Sequence, residues 1–137
     1  MAKDAYRRGM KTRRKVLGDE HVDAAERSRT AFNEDFQRLI TVYAWDEIWN
    51  RPHFTHKTRR LLTLAMTAAQ GRWDEFRIHV RSGLASKELV EDDIKELLLQ
   101  SAIYCGVPTA NHGFREARSE IEALAKSRKA ARGRPSR

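Results

Sequence analysis

The stretch HFTHKTRRLLTLAMTAAQGRWDEFRIHVRSG, residues 53–83, decides how the rest of the chain reads. Apolar residues at Leu61, Leu62, Leu64, Ala65, Ala68 and Ala69 recur at the three-and-four spacing of a helix that buries one side. Gly71 then stops that helix, because a residue without Cβ reaches left-handed backbone cheaply. A second helix over 73–82 sets Phe76, His79 and Val80 on one face, since residues three and four apart are helical neighbours. His79 is therefore expected on an inward surface, with Arg77 and Arg81 beside it in sequence.

Upstream, the pattern predicts one long helix over 23–43, with Ala24, Ala25, Arg29, Phe32, Phe36, Leu39, Ile40 and Tyr43 turned inward. Asp23 would cap it, and Glu26 would complete a capping box. The following AWDEIWNRP, residues 44–52, is dense in aromatics and charges, and Pro52 keeps Arg51 out of helical geometry. Residues 2–17 read as a basic helical arm whose thin stripe of Tyr6, Met10 and Leu17 is too narrow for a core. That arm is expected to pack on another protomer.

Downstream, Ser86 resembles one N-cap and Asp92 or Asp93 another, leading into a helix through Tyr104 with Ile94, Leu97, Leu98, Ser101 and Ala102 repeating along it. Pro108 in a first turn starts a last helix to about Lys126, with Ala110, Phe114, Ala117, Ile121 and Leu124 on its apolar side. No alternating β-branched run suggests a strand, and the reading is all-α.

The 137 residues suit one domain, expected over 1–125 with a basic, disordered tail at 126–137. The formal charge is +8, but the last twelve residues hold six Lys and Arg and no acid, which leaves +2 on the rest. A single cysteine, Cys105, excludes an internal disulfide and a cysteine-rich zinc site. No apolar run approaches the roughly eighteen residues that span a bilayer, and there is no charged-then-apolar leader. A soluble, cytoplasmic protein without a membrane partner is expected. The basic termini could meet nucleic acid, yet no recognition helix or aromatic platform lies among their charges, so a solubilising role is the better reading.

GDEHVD (18–23), FNEDFQ (32–37), AWDEIWNRP (44–52), TRRLLTLAM (58–66), HVR (79–81) and DIKELLLQSAIYCGVPTAN (93–111) together resemble the 4-carboxymuconolactone decarboxylase family. The resemblance is collinear from about Tyr6 to Ala117. It implies an alkylhydroperoxidase-like helical fold around an antiparallel pair at 57–70 and 91–104. It also implies a trimer-based homo-oligomer, commonly a hexamer, and a place in protocatechuate breakdown by the β-ketoadipate pathway. The superfamily's peroxidases carry C-x-x-C-x-x-x-H, which falls here on Cys105, Pro108 and His112. Proline forms no disulfide, so dithiol chemistry is unavailable.

The reaction so implied converts 4-carboxymuconolactone to the β-ketoadipate enol-lactone and CO2. The departing carboxylate sits on a ring carbon conjugated through one double bond to the lactone carbonyl, so the substrate is its own electron sink and no cofactor is needed. The protein must hold a dianion, stabilise the growing oxyanion and deliver a proton to carbon. Arg51, Arg59, Arg60 and Arg81 are the candidates for the carboxylates, because a planar fork matches them; Arg77 is a further one. Glu47 is the candidate neighbour of the departing carboxylate, which should not be clamped in the ground state. His79 is the candidate proton donor, the family's matching histidine outweighing the alternative of a merely satisfied core histidine. Trp45 and Trp49 would line a pocket for a flat ring or pack a core or subunit interface.

His53 and His56 lack a third ligand at helical spacing, so no metal is expected. Cys105 has no evident base partner and reads as a small buried thiol. A lactone hydrolase, or a decarboxylase of a related acid, is the alternative enzyme that one pocket Arg or Trp would separate from the first.

Overall fold

The computed structural model describes residues 2–134, which hold helices and no strand. The chain forms two compact units that divide after Arg59.

In the N-terminal unit, α1 (Ala2–Leu17) places Asp4 in its first turn and Arg14 and Lys15 in its last, signs that suit the helix dipole. Its buried seam is Gly9, Thr12, Arg13 and Val16, packed on a π-helix, Thr41–Ile48, of the same chain. α1 thus finds packing within its own chain, along a seam other than the stripe of Tyr6, Met10 and Leu17. The seam was not legible as an apolar stripe because its polar members, Thr12 and Arg13, are buried against partners distant in sequence. The Thr12 hydroxyl bonds Asn50 Oδ1 at 2.7 Å, and Arg13 Nη1 donates to Gln37 Oε1 at 3.2 Å. Arg8 grips Asp46 with two N–H bonds at 3.0 and 3.1 Å, which hold the Asp46 carboxyl below its usual range against the opposing effect of burial.

The single helix expected over 23–43 is instead α2 (Asp19–Arg27), a turn, α3 (Glu34–Ile40) and the π-helix. Asn33 explains the interruption. Its Oδ1 accepts the Thr30 N–H at 2.8 Å and its amide donates to the Ser28 carbonyl at 3.2 Å, the local bonding by which Ser, Thr and Asn compete with a helix. Asp23 is accordingly no cap but lies within α2, paired with Arg14 at 2.8 Å. The presumed inward residues point outward: Phe32 is 98% exposed, and Phe36, Leu39 and Tyr43 about 60%. The small core of this unit is Val16, Trp45 and Trp49, with Leu17 against it.

The C-terminal unit holds most of α4 (His56–Ala69), then α5 (Trp73–Ala85), α6 (Glu91–Tyr104) and α7 (Val107–Arg132). Gly71 closes α4 at φ 67°, as its sequence position requires. The core is Leu64 and Ala68 of α4, Phe76, Val80 and Leu84 of α5, Leu89, Ile94 and Leu98, and Ala117 of α7. Ser86 ends α5 rather than starting a helix, and the next N-cap is Val90, whose N–H is taken by the Asp93 carboxylate at 2.9 Å. Valine supplies no oxygen for the reciprocal bond of a capping box. Cys105 is exposed at the end of α6, not buried.

The last helix passes Lys126 and continues to Arg132, so residues 126–132 of the expected disordered tail are helical. Ala, Lys and Arg are good helix formers and the cations suit the C-terminal dipole. Arg128 also donates to the Leu84 carbonyl at 3.2 Å. Residues 135–137 of that tail lie outside the described residues.

Candidate active site

On α5 the spacing that buries Phe76, Val80 and Leu84 also turns His79 and Ser82 inward, at 7% and 8% exposed. On α4 the inward row is Arg60, Leu64, Thr67 and Ala68, so the row begins with a cation where an apolar residue would be usual. Arg60 has no exposed surface. A buried guanidinium is tolerable only when its N–H groups are occupied. Arg60 Nε donates to Glu88 Oε1 at 2.7 Å, and Nη1 donates to Ser82 Oγ at 2.7 Å. Nη1 also stands 3.4 Å from His79 Nδ1. The Ser82 hydroxyl in turn donates to the Ile78 carbonyl at 2.7 Å, leaving its lone pairs for Arg60.

Gly83 makes room for this array. A Cβ there would stand 2.8 Å from Arg60 Cδ and 2.8 Å from Leu89 Cδ1. The structure thus brings together two of the residues expected from sequence, Arg60 and His79. It adds two that sequence reading missed, Ser82 and Glu88. Ser82 had a signal, being three residues beyond His79 on the same face. Glu88 had none: it lies in the turn after α5, placed by Lys87 at φ 64°.

Arg81 takes a different partner. It donates from Nε and Nη2 to Glu120 of α7 at 2.8 and 2.9 Å, and Arg77 Nε adds a bond at 3.1 Å. Glu120 is 3% exposed, and the Arg81 bonds hold its carboxyl below the ordinary 4.5, with burial opposing and Arg77 assisting. A depressed carboxyl pKa gives stability that is complete above the ordinary value and lost as pH falls through the folded one. Both arginines are about half exposed, so the effect is modest. Glu120→Gln is expected to cost about 1–2 kcal/mol at neutral pH. Its melting temperature should approach wild type as pH drops below 4.5, and a gap that stays constant through that acid range would refute the assignment.

The remaining candidates belong to the N-terminal unit. Trp45 and Trp49 stack at 5.1 Å between centroids and are 9% and 8% exposed, packed with Val16. Glu47 and Arg51 are exposed. Arg59 is half-buried, donates to the Arg51 carbonyl at 3.1 Å and lies 5.6 Å from the Phe54 ring centre. His56 bonds the Trp49 carbonyl at 3.1 Å. Among the described residues no group of three His, Cys, Asp or Glu is placed to hold a metal ion, and no helix is long and apolar enough to cross a membrane.

Residues 34–119 match the model of the carboxymuconolactone decarboxylase family. A 4-carboxymuconolactone decarboxylase of Acinetobacter baylyi is 37% identical over 119 residues, 87% of this chain and 88% of that protein. A nitrosuccinic acid decarboxylase of Metarhizium robertsii is 42% identical over 101 residues, 74% of this chain and 70% of that one. A 4-carboxymuconolactone decarboxylase of Pseudomonas putida is 48% identical over 42 residues, 31% of this chain and 88% of that sequence.

Proposed function

Because this chain belongs to the carboxymuconolactone decarboxylase family, we propose that it decarboxylates 4-carboxymuconolactone to the β-ketoadipate enol-lactone and CO2. The observation that carries this reading is likeness to a decarboxylase of that name along 87% of the chain. The buried histidine on α5 supports it from the side of chemistry. As the C–C bond to the carboxylate breaks and CO2 leaves, its electron pair moves through the ring double bond onto the lactone carbonyl oxygen. The His79 imidazole faces the dienolate so formed and gives a proton to the carbon next to the carbonyl, regaining one from solvent. Arg51, Arg59 and Arg81 are the proposed carboxylate-binding side chains, Glu47 the neighbour of the departing group, and Trp45 and Trp49 the aromatic wall. The electron sink lies in the substrate, so the reaction proceeds without a cofactor. It would serve protocatechuate breakdown in the cytoplasm.

A second reading is favoured by the nitrosuccinic acid decarboxylase at 42% identity. Nitrosuccinate and carboxymuconolactone both lose CO2 from a carbon whose electron pair a neighbouring group accepts, a nitro group in one and a conjugated carbonyl in the other. An ultraviolet assay of metal-free protein on both acids, coupled to CO2 detection, separates the readings. Turnover of the lactone is the expected result, turnover of nitrosuccinate alone would move the assignment, and turnover of neither would end it.

The expected fold is alkylhydroperoxidase-like, and the expected assembly a trimer-based hexamer. Phe32, Phe36, Leu39 and Tyr43 are each 60% exposed or more, and Ile103, Tyr104 and Val107 are 70–83% exposed, apolar surface that solitary proteins seldom leave to water. Sedimentation should return a multiple of the 15.9 kDa chain, and Phe36→Asp with Leu39→Asp should lower it. A monomeric wild type would overturn the assembly.

A further inference from the structure

We propose that Glu88 and Ser82 are positioning residues that clamp the Arg60 guanidinium and, through it, hold His79 as a neutral imidazole with its proton on Nε2. The proposal rests on His79 acting in the reaction assigned above, and it says in which form.

A guanidinium has five N–H donors and no acceptor. Any hydrogen bond between Arg60 Nη1 and His79 Nδ1 therefore has the histidine nitrogen as acceptor, and an acceptor nitrogen carries no proton. At 3.4 Å the bond is long, so it directs the ring only if the guanidinium is itself fixed. Two short bonds do that. Nε is held by a carboxylate at 2.7 Å and Nη1 by a hydroxyl at 2.7 Å, and the hydroxyl's proton is committed to the Ile78 carbonyl. The planar fork then has no freedom to turn away from the ring. The stem is pinned too, because it crosses α5 over Gly83, where even a methyl group would press on Cδ.

The imidazole that results is a donor at Nε2. It offers a fixed N–H to an oxygen that gains charge, at no cost in reorientation when the charge appears. A second proton on Nδ1 would face a guanidinium N–H, donor against donor. The roles divide cleanly: His79 meets the dienolate, while Arg60, Ser82 and Glu88 act through it.

The test is nitrogen-15 spectroscopy of the full-length protein labelled in its histidines, with the His79 signal identified by its loss in His79→Gln. The long-range proton–nitrogen pattern should show Nε2–H at neutral pH, and in Glu88→Gln combined with Ser82→Ala it should shift to a mixture of tautomers. The same variant should lose kcat about tenfold or more with KM within about twofold, short of the roughly 10⁴ lost when a histidine is left in the wrong tautomer. Circular dichroism and melting establish that it folds. Should the double variant fail to fold, Ser82→Ala alone, which removes the short bond from the same Arg60 Nη1 that faces His79, carries the comparison.

A wild-type His79 found as Nδ1–H, or doubly protonated, overturns the proposal whatever the activity. A folded variant with unchanged tautomer overturns the clamp, even if kcat falls. If the wild type shows Nε2–H yet decarboxylates neither acid, the reaction assignment fails and the clamp stands.

Discussion

His79→Ala is expected to lose kcat by a factor of about 10²–10⁴ with its fold retained, the range for removing a group that serves the reacting atoms directly. Purely structural accounts of a histidine 7% exposed predict something else: lower stability, with kcat per folded molecule unchanged. Both effects are anticipated here, because deletion also removes a partner of the Arg60 guanidinium, at about 1–3 kcal/mol. They are separated by measuring kcat on protein shown to be folded. His79→Gln sharpens the result. Its side-chain oxygen can accept from Arg60 while its amide N–H points where Nε2–H pointed. Gln is therefore expected to melt near wild type and to keep more activity than Ala if His79 serves as a hydrogen-bond donor. Ala with full activity sinks the assignment of His79.

What the sequence disclosed, and what it hid, has a common physical origin. Apolar spacing reports burial only where the buried row is apolar. Leu64, Ala68, Phe76, Val80, Leu98 and Ala117 satisfy that condition, so the four helices of the C-terminal unit were legible, and His79 was found on the correct face by riding with Phe76 and Val80. The row on α1 does not satisfy it. Thr12 and Arg13 are buried by pairing with Asn50 and Gln37, residues 38 and 24 positions away, and no local pattern encodes such partners. Reading the apolar residues of 23–43 as one inward face failed for a further reason: periodicity assumes an uninterrupted α-helix. Asn33 breaks it, so the apolar residues on either side of the turn do not share one face.

The site shows the same limit. Arg60 was legible as one of several arginines suited to a carboxylate, and it does bind one, but the carboxylate belongs to Glu88, 28 positions away. Residue type marks arginine as a partner for carboxylates, whereas the particular carboxylate on Arg60 Nε is placed by the turn at Lys87. Arg81 repeats the case with Glu120, 39 positions on.

Gly9→Ala is the other change from which a large effect is expected, and competing principles give it opposite signs. In the interior of a helix, alanine is favoured over glycine by roughly 1 kcal/mol, so propensity alone makes this substitution stabilising. Against it stands the π-helix. A Cβ at position 9 would collide with the Thr41 carbonyl oxygen, and would lie 3.0 Å from its carbon and 3.2 Å from its Cγ2. Backbone cannot rotate out of the way as a side chain can. Thr41 is 1% exposed and tied by its hydroxyl to the Gln37 carbonyl at 2.7 Å, so relief requires the two helices to separate. Separation strains the Arg8–Asp46, Thr12–Asn50 and Arg13–Gln37 bonds, because all three run from α1 to residues 37–50, the stretch that carries Thr41. Overpacking costs about 1–3 kcal/mol by itself, and the strained bonds place this case at or above the upper end, so the collision outweighs the propensity. Denaturation should show Gly9→Ala to be less stable by about 3 kcal/mol, with Gly9→Ser no better. An alanine variant as stable as wild type, or more so, would mean that α1 does not lie against Thr41 at this distance.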